Sequence, residues 1–107
     1  MMIKEAVSSL KSDLKSSIVD VPDFPKKGIV FKDITPILSN GALFRKMILS
    51  LADRYGAHKP DAIVCIESRG FFMGSPLAAQ LGVGLVPVRK KGKLPRPTIS
   101  VSYQLEY

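Results

Sequence analysis

Ile3, Val7, Leu10 and Leu14 recur at the three- to four-residue spacing of one helix face, with polar residues between them. The stretch Ile18 to Pro25, punctuated by Pro22 and Pro25, predicts extended chain. Gly28-Ile29-Val30-Phe31 follows as a short apolar run, with Lys32-Asp33-Ile34-Thr35-Pro36 read as a loop. Ser39 or Asn40 is a suitable cap for a helix whose apolar face is Leu43, Phe44, Met47, Ile48 and Leu51, with Gly56 as its stop. Ala62-Ile63-Val64-Cys65-Ile66 is a continuous apolar run, as in a buried strand. A polar turn interrupts it at Glu67. A helix is expected from about Gly70 to Leu81, ending at Gly82, and a further strand over Val83–Val88. The unit from Ala62 to Val88 is then strand–helix–strand, which implies parallel strands joined by a right-handed crossover. Thr98 to Ser102 alternates in the manner of one more strand.

An open parallel α/β sheet binds ligands outside the carboxyl ends of its strands. Two cationic segments fall at such ends in this sequence. The first is Glu67-Ser68-Arg69-Gly70, where a helix N-terminus offers unpaired amides and the positive end of its dipole. The guanidinium of Arg69 suits a phosphate, because its planar fork donates two parallel hydrogen bonds. The second is Arg89-Lys90-Lys91-Gly92-Lys93-Leu94-Pro95-Arg96, which holds five of the 16 basic residues of the chain. Together they suggest a ligand with several phosphates.

Composition narrows the reading. With 107 residues the chain is at most one domain, and 46% hydrophobic content excludes a disordered one. The net charge of +7 calls for an anionic partner. Its concentration in one loop fits a small polyanion better than nucleic acid, whose binders spread basic residues along a face and interleave aromatics. No apolar run reaches membrane-spanning length, and residues 1–17 lack the apolar core of a signal peptide. A soluble, cytoplasmic protein is expected, in keeping with a single cysteine, Cys65, inside the apolar strand.

Other chemistries lack their residues. Ser68 does not sit in a nucleophile elbow, since the glycine required two positions earlier is Ile66, and the sole histidine, His58, has no evident acid partner. Neither a phosphate-binding Walker loop nor a dinucleotide fingerprint is present, and no side-chain cluster has metal-site spacing.

Four segments in order resemble the adenine phosphoribosyltransferase family. They are Asp23-Phe24-Pro25 with Gly28 to Pro36, Glu67-Ser68-Arg69-Gly70-Phe71, Arg89 to Pro95, and Tyr103-Gln104-Leu105-Glu106-Tyr107. The resemblance implies a phosphoribosyltransferase-type, Rossmann-like parallel sheet. It divides the chain into an N-terminal helix and adenine-pocket region over residues 1–36, and the start of the α/β core with a mobile loop over 37–107. The implied reaction joins adenine to phosphoribosyl pyrophosphate, giving AMP and diphosphate, with Mg²⁺ held mainly through the substrate diphosphate and no metal ligand in this chain. A homodimer is implied, with no nucleic-acid or membrane partner.

Residue by residue, the resemblance makes Glu67, Ser68, Arg69 and Gly70 the diphosphate loop, with a non-proline cis peptide at its start. Arg89, Lys90 and Lys93 become a second diphosphate-binding group, Arg89 acting across the dimer interface. Val30 and Lys32 would meet the purine edge through main-chain groups while Phe31 stacks on its face. Arg69 and Glu106 are the implied catalytic residues, Glu106 handling the purine proton, and Tyr107 its neighbour in the mobile loop. The family's acidic pair followed by Ala-Thr-Gly-Gly-Thr, which holds ribose and the 5′-phosphate, is absent from this sequence. The chain is accordingly expected to be a fragment that binds diphosphate without making AMP. Two alternatives stay open: a non-catalytic phosphoribosyltransferase-like regulator, and a nucleic-acid module built on the basic loop.

Overall fold

The computed structural model describes residues 2–104, with side chains from Val7 onward. Glu106 and Tyr107 lie outside the described residues, as does the side chain of Ile3. The expected first helix forms as α1 (Met2–Ser17). It lays Leu10 and Leu14 against a core of Ile37, Leu43, Met47 and Ile48. After it, β1 (Val19–Pro22) and β2 (Val30–Asp33) pair antiparallel, Val21 opposite Phe31 and Pro22 opposite Val30.

The turn between these strands is closed by the Asp23 carboxylate, which accepts the Gly28 N–H at 2.9 Å, and by the Phe24 N–H donating to the Ile29 carbonyl at 3.1 Å. Gly28 adopts φ 89°, in the left-handed region that favours glycine.

One expectation needs correction here. Lys32 to Pro36 is not a loop, because Lys32 and Asp33 finish β2 while Thr35 and Pro36 open a short helix, α2 (Thr35–Ser39). Asp33 makes the change of direction possible: one of its oxygens accepts both the Thr35 N–H at 2.9 Å and the Thr35 hydroxyl at 2.7 Å. Proline in the first turn of a helix forfeits no intrahelical bond, so Pro36 starts the helix where the polar pattern suggested a break.

Of the two candidate caps, Asn40 is the one that acts. Its side chain accepts the Leu43 N–H at 3.1 Å and begins α3 (Gly41–Gly56), whose buried residues Leu43, Met47 and Ile48 form the predicted face.

The next three elements are β3 (Ala62–Ile66), α4 (Arg69–Leu81) and β4 (Gly84–Val88). Strands β3 and β4 pair parallel, with Val64 opposite Val86 and Ile66 opposite Val88. The crossover helix α4 ends in left-handed Gly82, φ 69°, whose N–H reaches the carbonyls of Ala78 and Ala79. Helix and strand approach very closely at Gly74, where a Cβ would lie 1.9 Å from the Cys65 sulfur. Cys65, Leu77 and Ala78 are buried in this layer.

The strand expected over Thr98–Ser102 is absent. Those residues carry no regular structure, and Ile99 and Val101 are 98% and 86% exposed. Alternation supplies only one apolar face, and a strand also needs a neighbour to complete its hydrogen-bond ladder. Among the described residues none lies beside it: the two sheets are β1–β2 and β3–β4.

Candidate active site

The carboxyl ends of β3 and β4 lie side by side, so parallel pairing brings the two cationic segments together. The Glu67 N–H donates to the Val88 carbonyl at 2.9 Å, which carries the ladder one residue past β3. The peptide between Glu67 and Ser68 is cis. Ser68 then stands at the N-cap of α4, but its side chain makes no capping bond; its carbonyl accepts the Phe71 N–H at 3.1 Å. Arg69 is the first residue of α4, exposed, and Gly70 follows half-buried.

Glu67 joins this loop to the basic one. A single oxygen of its carboxylate accepts the Lys90 N–H at 2.8 Å and the Arg89 Nε–H at 3.4 Å. The Lys90 N–H bond, with smaller help from the Arg89 guanidinium, holds the Glu67 carboxyl below its ordinary value against the opposing push of partial burial. Arg89 also donates from Nη1 to the Lys93 carbonyl at 3.2 Å, and the Lys93 N–H donates to the Lys90 carbonyl at 3.1 Å. Gly92, at φ 84°, supplies the left-handed residue this turn requires. Residues 89–93 thus form a tight turn. Lys90 and Lys93 have no ion-pair partner among the described residues, where the pairs are Lys32–Asp20 and Arg89–Glu67.

Phe31 reaches the same place from the other sheet. The Arg69 guanidinium carbon lies 5.0 Å from the centre of its ring, a cation–π contact. Phe24 meets that ring edge-on, with centroids 5.1 Å apart and planes at 74°. The Asp23-Phe24-Pro25 segment carried a family signature but no role in the sequence reading. Its aromatic supports Phe31. That contact could not be inferred locally, since it depends on a turn closed by Asp23 and Gly28.

The side chain of Lys32 is turned to its own hairpin. The Lys32 ammonium is 2.6 Å from an Asp20 oxygen, an exposed pair across the hairpin. Its charge is engaged there. Val30 as a whole residue is 53% exposed. A cavity of about 300 Å³ between α3 and α4, lined by Phe44, Ile48 and Pro76 among others, shares no residue with the site.

Residues 33–106 match the phosphoribosyl transferase domain. The chain belongs to this family. It is 58% identical over 95 residues to an adenine phosphoribosyltransferase of Carboxydothermus hydrogenoformans, a match spanning 89% of this chain and 56% of that protein. Among solved structures, it resembles the adenine phosphoribosyltransferase of Thermoanaerobacter pseudethanolicus with a TM-score of 0.85 and 53% identity, over 90% of this chain and 56% of that one. The Saccharomyces cerevisiae enzyme, solved with an imino-altritol bisphosphate and adenine, gives 0.83 and 45%, over 94% and 59%. The chain spans little more than half the length of these phosphoribosyltransferases.

Proposed function

We propose that this chain carries the adenine- and diphosphate-recognising part of an adenine phosphoribosyltransferase, which makes AMP and diphosphate from adenine and phosphoribosyl pyrophosphate in purine salvage. The observation that carries the reading is the position of Arg69. It stands between an aromatic ring suited to a purine and a pair of loops suited to a diphosphate.

Phe31 is the stacking platform, and Val30 and Lys32 read the purine edge through their main chain. Pro22, opposite Val30, has no N–H to donate. This favours hydrogen-bonded pairs at Val21–Phe31 and Val19–Asp33, leaving the main-chain groups of Val30 and Lys32 aimed away from β1. With the Lys32 ammonium held by Asp20, its side chain contributes little to base choice.

In the transfer, C1′ parts from diphosphate through a cation-like transition state as the purine nitrogen arrives. Charge then builds on the departing diphosphate. Arg69, the amides at Ser68–Gly70, and Arg89, Lys90 and Lys93 stabilise it from fixed positions. Glu106 is the residue we assign to the purine proton, with Tyr107 next to it in sequence. Mg²⁺ would neutralise part of the diphosphate charge. Among the described residues no three His, Cys, Asp or Glu side chains are grouped for a metal, and one Glu67 oxygen accepts two donors; we assign the ion to the diphosphate itself. No described helix is long and apolar enough to cross a membrane. We read the protein as a cytoplasmic homodimer, its one cysteine buried and free.

Calorimetric titration of pyrophosphate, adenine and duplex DNA into the chain tests the reading. Pyrophosphate should give a signal that weakens with salt and is lost in Arg69→Ala. DNA binding that outcompetes pyrophosphate would overturn it in favour of a nucleic-acid module.

A further inference from the structure

We propose that Glu67 is a positioning residue and not a diphosphate ligand: its carboxylate latches the loop after β4 onto the loop after β3, so that the two cationic loops face one anion. This rests on the diphosphate reading above and assigns a task within that site. A carboxylate beside a polyanion is repulsive on its own, so its presence at the head of an anion loop calls for a different task. The geometry supplies one.

Three consecutive residues of the β4 end are tied to Glu67. Its N–H holds the Val88 carbonyl at 2.9 Å, and one carboxylate oxygen holds the Arg89 Nε–H at 3.4 Å and the Lys90 N–H at 2.8 Å. The shortest is the bond to the Lys90 main chain, so what Glu67 fixes most firmly is the path of the backbone. The side chain of Glu67 is only 17% exposed, turned in against the loop it holds.

From that anchor the rest of the turn follows. Arg89, oriented by the carboxylate, bridges to the Lys93 carbonyl at 3.2 Å, and the Lys93 N–H closes on Lys90 at 3.1 Å. Lys90 and Lys93 therefore project from a backbone whose shape depends on Glu67. The charge of Glu67 is met by Arg89 and by a main-chain dipole. Released from that latch, the basic loop would sample many conformations, and each bound anion would have to order it anew.

The sign of one substitution separates this role from simple electrostatics. If Glu67 acted only as a charge, Glu67→Ala would tighten pyrophosphate binding by removing a repulsion. A positioning role predicts the opposite, a weakening of about tenfold, the scale typical when the support of a binding group is removed. Glu67→Gln retains a carbonyl acceptor for the Lys90 N–H, so its affinity should stay within about threefold of the parent chain. Hydrogen exchange at the Lys90 amide, followed by NMR without ligand, should accelerate in Glu67→Ala and stay near the parent rate in Glu67→Gln.

Tighter or unchanged pyrophosphate binding in Glu67→Ala would overturn the proposal, as would unchanged exchange at Lys90. If the Ala chain does not fold, rapid Lys90 exchange in Glu67→Gln overturns it equally. Should the parent chain give no pyrophosphate signal, the diphosphate reading fails, and the exchange measurement still decides whether Glu67 latches the loop.

Discussion

The guanidinium of Arg69 covers the ring of Phe31, 5.0 Å from its centre, and thereby connects the antiparallel hairpin to the parallel sheet. The same guanidinium is the group that a diphosphate would draw toward the loop. Contact with the ring and contact with the anion therefore compete for one side chain.

Phe31→Leu removes a contact worth ~0.5–1 kcal/mol. Pyrophosphate should then bind about twofold to fivefold more tightly, while adenine loses its platform and binds more weakly. Calorimetry with each ligand checks both directions. Weaker pyrophosphate binding in this variant would show that the ring steadies Arg69 for the anion instead of competing with it.

Low pH should loosen the structure through two carboxylates. Glu67 is held below its ordinary 4.5 chiefly by the Lys90 N–H, and Asp33 below 3.8 by the Thr35 N–H and then its hydroxyl. In each case the unfolded chain binds protons more readily than the folded one. The stabilisation is thus complete above the ordinary carboxyl values and is lost as pH falls through and below them. Urea midpoints measured at roughly pH 6 and roughly pH 3 should fall with pH, and the fall should shrink in Glu67→Gln combined with Asp33→Asn. An equal fall in that double variant would place the acid sensitivity elsewhere.

Gly74→Ala would set a methyl 1.9 Å from the Cys65 sulfur and 3.2 Å from its Cβ. Overpacking of this kind destabilises by ~1–3 kcal/mol. Adding Cys65→Ala removes the sulfur and should recover part of the loss, so the two changes are not additive. Chemical denaturation of both single variants and the double variant measures the coupling; strict additivity would mean that α4 moves away from β3 instead of clashing with it.

One face of the parallel sheet is apolar and open. Val64 and Ile66 are each 64% exposed, and their partners across the ladder, Val86 and Val88, are 49% and 45% exposed. Such a face, beside strand edges that have no partner among the described residues, favours self-association. Sedimentation of the chain should depend on concentration, and Val64→Lys with Val86→Lys should shift it toward monomer. A parent chain that stays monomeric and melts cooperatively at every concentration would contradict this.

Much of this fold could be read from residue pattern. The helix faces of α1 and α3, the Asn40 cap, the apolar run of β3 and the Gly82 stop are local signals, because each depends on neighbours within a turn or two. The strand–helix–strand unit also follows locally, and with it the placing of Glu67–Gly70 and Arg89–Lys93 at adjacent strand ends. The pairing of Lys32 with Asp20, the support of Phe31 by Phe24, and the Arg69–Phe31 contact are different. They join residues whose separation along the chain carries no periodic signal: the first two need the hairpin to close in this register, and the third needs hairpin and parallel sheet to pack. The strand expected at Thr98–Ser102 shows the converse: alternation specifies which side chains share a face, whereas only a neighbouring backbone can make the segment a strand. The latch at Glu67 belongs to the tertiary structure for the same reason. A glutamate at the head of an anion loop is chemically ambiguous in sequence, and the Lys90 N–H 2.8 Å from its oxygen resolves what the carboxylate is for.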